Sequence, residues 1–211
     1  MKLKSSSTAT HRSRSEQREE RKKRIIQVTV SLFLVFLLLF SYIAYYFTPD
    51  QNTIRENGFK ITPNVDSLGY IQGYTTKVNG TKKMFYTAPS ESQNIALPEG
   101  MIAELQSAPF VAVLFNPNDT YVGVYDQMRF DFSANLNTNV LSAVTEESPK
   151  YSQLTTIACG NESNEITMIL LAEGNRSITR EGGCYVLRGG QYDFGALRDR
   201  VLYAYYGITT N

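Results

Sequence analysis

Residues 25–47, IIQVTVSLFLVFLLLFSYIAYYF, form a stretch of twenty-three residues without one charge. As a helix rising ~1.5 Å per residue, the stretch is roughly 34 Å long, enough to cross a hydrocarbon core of about 30 Å. Buried helices of globular proteins are usually shorter and interrupted by polar residues, so the segment predicts a membrane span. A cleavable signal peptide is the rival reading. Its apolar region normally runs about 7–15 residues and ends at small residues. Here the run is longer and ends in Tyr42, Tyr45, Tyr46 and Phe47, whose rings suit the headgroup boundary. The pattern is that of an uncleaved signal-anchor.

The net charge of +1 hides a division around this segment. Residues 1–24 carry nine Lys/Arg against three Glu, a net of +6, and residues 48–211 carry twelve against seventeen, a net of −5. Lys and Arg beside a span are retained in the cytosol. Arg18, Arg21, Lys22, Lys23 and Arg24 abut its start, whereas only Arg55 and Lys60 lie near its end. The expected order is a basic, disordered cytosolic tail (1–24), the transmembrane helix (25–47), a short polar linker (48–58) and an extracytoplasmic domain (59–211). The lipid bilayer is then an obligatory partner. The basic tail suits anionic headgroups and topology better than nucleic acid, and none is expected as a partner.

Two cysteines, Cys159 and Cys184, both fall in the outer domain. An oxidising compartment allows them to pair, closing a loop worth about 3–4 kcal/mol in the chain-entropy model. Four glycosylation sequons, at Asn79, Asn118, Asn161 and Asn175, fall in the same domain and in expected turns.

Within that domain, residues 70–78 and 81–87 read as strands of a hairpin turned at Asn79-Gly80, which accepts the positive φ angles of a type I′ turn. Residues 98–107 read as a short helix with Pro98 in its first turn. The apolar run 110–115, FVAVLF, predicts a strand buried on both faces. Val122, Tyr125, Met128, Phe132 and Leu136 keep helical spacing, and 140–144 reads as a further strand, completing a βαβ unit. Short strands are expected over 154–159, 166–171, 177–180 and 184–188. A last helix begins near Asp193 as N-cap, shows Leu197, Val201 and Tyr205 on one face, and stops at Gly207. The sum is an α/β domain with a mixed sheet covered by two or three helices.

The lone histidine, His11, precedes the apolar segment, so the outer domain has no imidazole. That excludes Ser-His-Asp and Cys-His catalysis and His-ligated zinc there. Neither GxGxxG nor GxxxxGK[ST] occurs, and no cofactor is implied. What remains is carboxylate chemistry. Asn116, Asn118, Asp119 and Thr120 follow the buried strand, at the strand end where α/β sheets gather ligands. They form the candidate ligand site, against the alternative that Asn-Pro-Asn-Asp-Thr only shapes a turn. Glu146 and Glu147, ending the partner strand, are candidates to approach Asp119 and complete a hard-cation site.

The segments LTTIACGN, EGNRSITREGGCYVLRGG and LRDRVLYAYYGI, with KVNGTKKMFYT and VAVLFNPNDT upstream, resemble a pattern in uncharacterised archaeal single-pass membrane proteins. The resemblance implies an archaeal envelope setting and carries no functional residues with it. Two functions are weighed. One is a membrane-anchored, non-catalytic binding or structural module facing an envelope protein partner, to which fourteen tyrosines are suited. The other is a carboxylate- and cation-dependent enzyme centred on Asp119.

Overall fold

The computed structural model describes residues 14–47, 53–160 and 165–210, in two compact units, 1–51 and 52–211. The first contains a single helix, α1 (Arg14–Phe47). It is long and apolar enough to cross a membrane, and none of that apolar stretch is buried against protein. The helix begins well before residue 25, so residues 14–24 are helical rather than disordered. Their composition explains why. Glu, Arg and Lys are good helix formers, Glu19–Lys23 and Glu20–Arg24 have the i,i+4 spacing that favours helix, and extending an existing helix needs no new nucleus.

The second unit is the mixed-sheet α/β domain the sequence implies, with two sheets rather than one. The smaller is antiparallel, ordered β1 (Ile54–Glu56), β2 (Phe59–Val65), β3 (Ile71–Val78) and β4 (Thr81–Phe85). β1 lies inside the stretch expected to be linker. It pairs with β2 across Asn57-Gly58, both at positive φ (43° and 83°), just as β3 pairs with β4 across Asn79-Gly80. The first hairpin is hard to read because β1 has three residues, two of them charged, and Pro63 sits in β2. β1 pairs no further along than Ile61, leaving beyond it a free edge that tolerates a residue without an N–H.

The larger sheet contains β5 (Phe110–Phe115), β6 (Asn139–Val144), β7 (Thr155–Thr156), β8 (Ile166–Glu173), β9 (Ser177–Glu181) and β10 (Cys184–Gly189). Their order is β7-β6-β5-β8-β10-β9, parallel throughout except for β9. β5 is flanked on both sides, and its residues from Val111 to Phe115 are buried, as its uninterrupted apolar run requires. The strand expected over 154–159 shrinks to Thr155–Thr156. Beyond it the chain leaves the sheet edge, and Ile157 and Cys159 pack on the sheet's second face with Ala112, Leu114, Met168 and Val186. Cys159 is bonded there to Cys184, their Cα atoms 5.5 Å apart.

Among the described residues four α-helices complete the domain: α2 (Pro89–Ser92), α3 (Met101–Ser107), α4 (Val122–Asn135) and α5 (Asp193–Tyr205). β5, α4 and β6 form the expected βαβ unit. α3 begins three residues after Pro98, because Gly100, at φ 78°, interrupts the helical path. α5 begins at Asp193 with Tyr192, not Asp193, in the cap position. The Asp193 carboxylate instead accepts the Gly190 N–H at 2.9 Å. At the other end, the Gly207 N–H bonds the Ala204 carbonyl and the Ile208 N–H bonds that of Tyr203, a Schellman stop with Gly207 at φ 71°.

α5 is the centre of the domain. Leu197, Val201 and Tyr205 are buried as expected, but so are Arg198, Asp199, Arg200 and the residues between. The helix lies between the sheets. On one side a Cβ at Gly189 of β10 would sit 2.7 Å from Asp193 Cβ, so only glycine permits that approach. On the other, the rings of Tyr203 and Phe85 of β4 stack at 4.1 Å. A helix enclosed on both sides shows no single apolar stripe, which is why its charged residues are inside.

Candidate functional site

Parallel strands deliver their following loops to one edge, and the chain's path makes one position on that edge special. From β5 the chain crosses by α4 to β6 on one side, while β8 lies on the other. Between the carboxyl ends of β5 and β8 the two loops diverge, at the strand ends where α/β sheets gather ligands. Asp119 is placed there, half-buried. Burial raises its carboxyl above the ordinary range, with Glu173, the last residue of β8, and Glu146 pushing the same way and the Tyr125 hydroxyl opposing them.

The four residues expected to act together divide into two groups. Asn116 shapes the turn: its side-chain oxygen accepts the Asn118 N–H at 2.8 Å. The amides of Asn116 and Asn118 both donate to Glu146, at 3.4 and 3.2 Å. Thr120 is exposed. Asp119 is not the helix cap, since α4 starts after Tyr121 with no side-chain cap. The turn-and-cap reading therefore fits Asn116 and leaves Asp119 without a structural duty of that kind.

The hard-cation arrangement does not form. Among the described residues no three His, Cys, Asp or Glu side chains are placed to hold a metal ion. Glu146 is occupied by the two amides, and Glu147 points elsewhere. It lines, with Val144, Pro149, Tyr151, Leu154 and Thr156, an open depression of about 550 Å³ beside β6 and β7.

Two participants escaped sequence reasoning. Glu173 reaches Asp119 only because β8 lies beside β5, which no local pattern reveals. Tyr125 was readable as core and is fully buried, yet its hydroxyl lies against Asp119 without a well-formed hydrogen bond. Burial and the facing carboxylates raise its pKa.

A second polar cluster lies between α5 and the small sheet. Asp199 accepts the Tyr86 and Thr87 N–H groups at 2.6 and 2.7 Å, the Thr87 hydroxyl at 3.0 Å and Arg198 at 2.6 Å. Arg198 also donates to the Met84 carbonyl at 2.9 Å. The Tyr86 hydroxyl donates to Asp131 at 2.5 Å, and burial with that carboxylate pushes the phenol up to about 12. Burial pushes the Asp199 carboxyl up as well, against the pull of Arg198 and Thr87. Its partners are its own chain's backbone and side chains, so the cluster ties the layers together.

Of the sequons, Asn79, Asn118 and Asn175 are exposed in turns, and Asn161 lies outside the described residues. Compared with protein-family models, curated proteins and solved structures, the chain matches none of them.

Proposed function

We propose that the chain is a membrane-anchored module of the cell envelope, held by α1 with residues 1–24 in the cytosol and the α/β domain outside, where it binds a partner protein or serves a structural role. The observation that carries this reading is an apolar helix with no protein burial, followed in the same chain by a disulfide-bonded domain. Flanking positive charge favours this orientation, and a disulfide favours the oxidising side. The resemblance to archaeal single-pass proteins makes an archaeal envelope the natural setting, and three exposed sequons are accessible to a glycosylating enzyme there. The carboxyl edge of the large sheet, with Asn116, Asn118, Asp119 and Thr120, is the proposed contact site. The exposed Asn118 amide, a half-buried acid and the exposed Tyr192 ring offer both polar and aromatic contact.

Crosslinking in intact cells, followed by capture of the tagged chain, tests the reading. A discrete crosslinked protein species is expected, and it should weaken in Asp119→Ala and Tyr192→Ala variants that remain folded. Recovery of monomer and lipid alone would count against a protein-binding module.

A further inference from the structure

The loop between β2 and β3 presents apolar side chains to solvent on a fixed frame. Val65 and Ile71, paired across the strands, are 49% and 55% exposed, and Leu68 and Tyr70 at the tip are 79% and 67% exposed. The frame is Asp66. One carboxylate oxygen accepts the Leu68 and Tyr70 N–H groups, both at 2.9 Å, and the other accepts Gln72 at 2.9 Å. The Asp66 N–H bonds the Tyr70 carbonyl at 2.9 Å, and the Gly69 N–H bonds that of Asp66 at 3.1 Å. Such a loop keeps its apolar tip outward and cannot readily fold it back.

The register of the sheet says which way the tip faces. β1 runs antiparallel to β2 with Ile54 opposite Ile61. The end at which the chain enters the domain is therefore the end toward which β2 runs. Val65 lies four residues past Ile61, so the tip projects roughly 13 Å beyond the entry point, at ~3.3 Å per residue. Only residues 48–53 separate Phe47 from Ile54, and they bridge at most roughly 25 Å fully extended.

We propose that the β2–β3 loop inserts Leu68, Tyr70, Val65 and Ile71 into the interface of the outer leaflet, giving the domain a second, non-covalent hold on the bilayer. This rests on α1 being the membrane anchor. An aliphatic tip beside a tyrosine suits the headgroup boundary, where an apolar body and a polar end are both satisfied. Charge does not drive the contact. Lys60, Lys77 and Lys82 of the small sheet lie at its other end, beside the Asn57-Gly58 and Asn79-Gly80 turns, so the insertion should be insensitive to salt and to anionic lipid.

The chain has no tryptophan, so single substitutions report their own surroundings. Leu68→Trp, Lys82→Trp and Phe36→Trp variants of the full chain would be placed in phosphatidylcholine vesicles, with and without bromine on the acyl chains near the headgroup or near the bilayer centre. Position 82 is exposed at the opposite end of the small sheet, beside the Asn79-Gly80 turn. The proposal expects blue-shifted emission from Leu68→Trp, loss of most of its intensity with the shallow bromines, and no change with salt. Lys82→Trp should stay water-like. Phe36→Trp should be quenched by the deep bromines. Unquenched Leu68→Trp beside quenched Phe36→Trp would overturn the proposal and leave the anchor standing. Blue-shifted but unquenched emission would also overturn it, because protein rather than lipid then covers the tip. If Phe36→Trp is unquenched too, the anchor itself has failed, and the proposal with it.

Discussion

Replacing Asp199 with alanine should cost the α/β domain about 3–5 kcal/mol, the range for removing one partner of a buried ion pair. Arg198, its side chain 5% exposed, would lose its nearest countercharge and keep only the longer pair with Asp131 at 3.9 Å among the described residues. The Tyr86 and Thr87 N–H groups would lose their acceptor, and each buried donor left unpaired adds its own penalty. A domain of this size has only about 5–15 kcal/mol in hand, so the variant is expected to be largely unfolded when warmed modestly. The check is the urea midpoint of the detergent-solubilised chain, followed by near-ultraviolet dichroism of its tyrosines. An Arg198→Met, Asp199→Leu double variant should lose less than Asp199→Ala alone, because it leaves no buried charge unpaired. Equal losses in the two would show that packing of α5, rather than the ion pair, sets the cost.

The second large effect concerns the disulfide. A Cys159→Ala, Cys184→Ala double variant should lose about 3–4 kcal/mol, or roughly 10 °C in melting temperature for a domain of this size. Cys184 is buried at the start of β10, whereas Cys159 lies in the segment that crosses the sheet's second face. Among the described residues no helix side chain joins the apolar cluster on that face, and Ile157 and Cys159 are what the crossing segment adds to it. The covalent tie therefore does what packing does elsewhere. Reductant should destabilise the native chain by a similar amount and leave the double variant unchanged. In protein isolated from native membranes, alkylation without reductant should label neither cysteine. Labelling of both would remove the bridge and one of the supports for an oxidising compartment.

Which features were legible in the sequence follows from which interactions are local. The FVAVLF run marks a central strand because both faces must be apolar, and Asn79-Gly80 marks a hairpin because few residue pairs accept two positive φ angles. Gly207 marks a helix stop for the same reason. The long apolar helix is legible from its length and lack of charge alone. The misses have a common cause. β1 is too short to carry a pattern, and only its partner β2 defines it. Arg198 and Asp199 look like a solvated helix face until a second sheet covers α5. At the candidate site, the Asn116–Asn118 turn could be read from residue types. The approach of Glu173 to Asp119 depends on β8 lying beside β5, a pairing across more than fifty residues. The cation site failed because adjacent strand ends, though rich in acids, aim Glu146 at two amides and Glu147 at another surface.

Sidedness is the claim on which the rest depends. A site-specific protease sequence inserted at Gln51 places one cut between the anchor and the domain. Added to intact cells or spheroplasts, the protease should sever the disulfide-bonded domain from an N-terminal tag that stays in the membrane, protected until the cells are lysed. Removal of the N-terminal tag by a general protease in intact cells, with the Gln51 site uncut until lysis, would contradict the account by placing the domain inside.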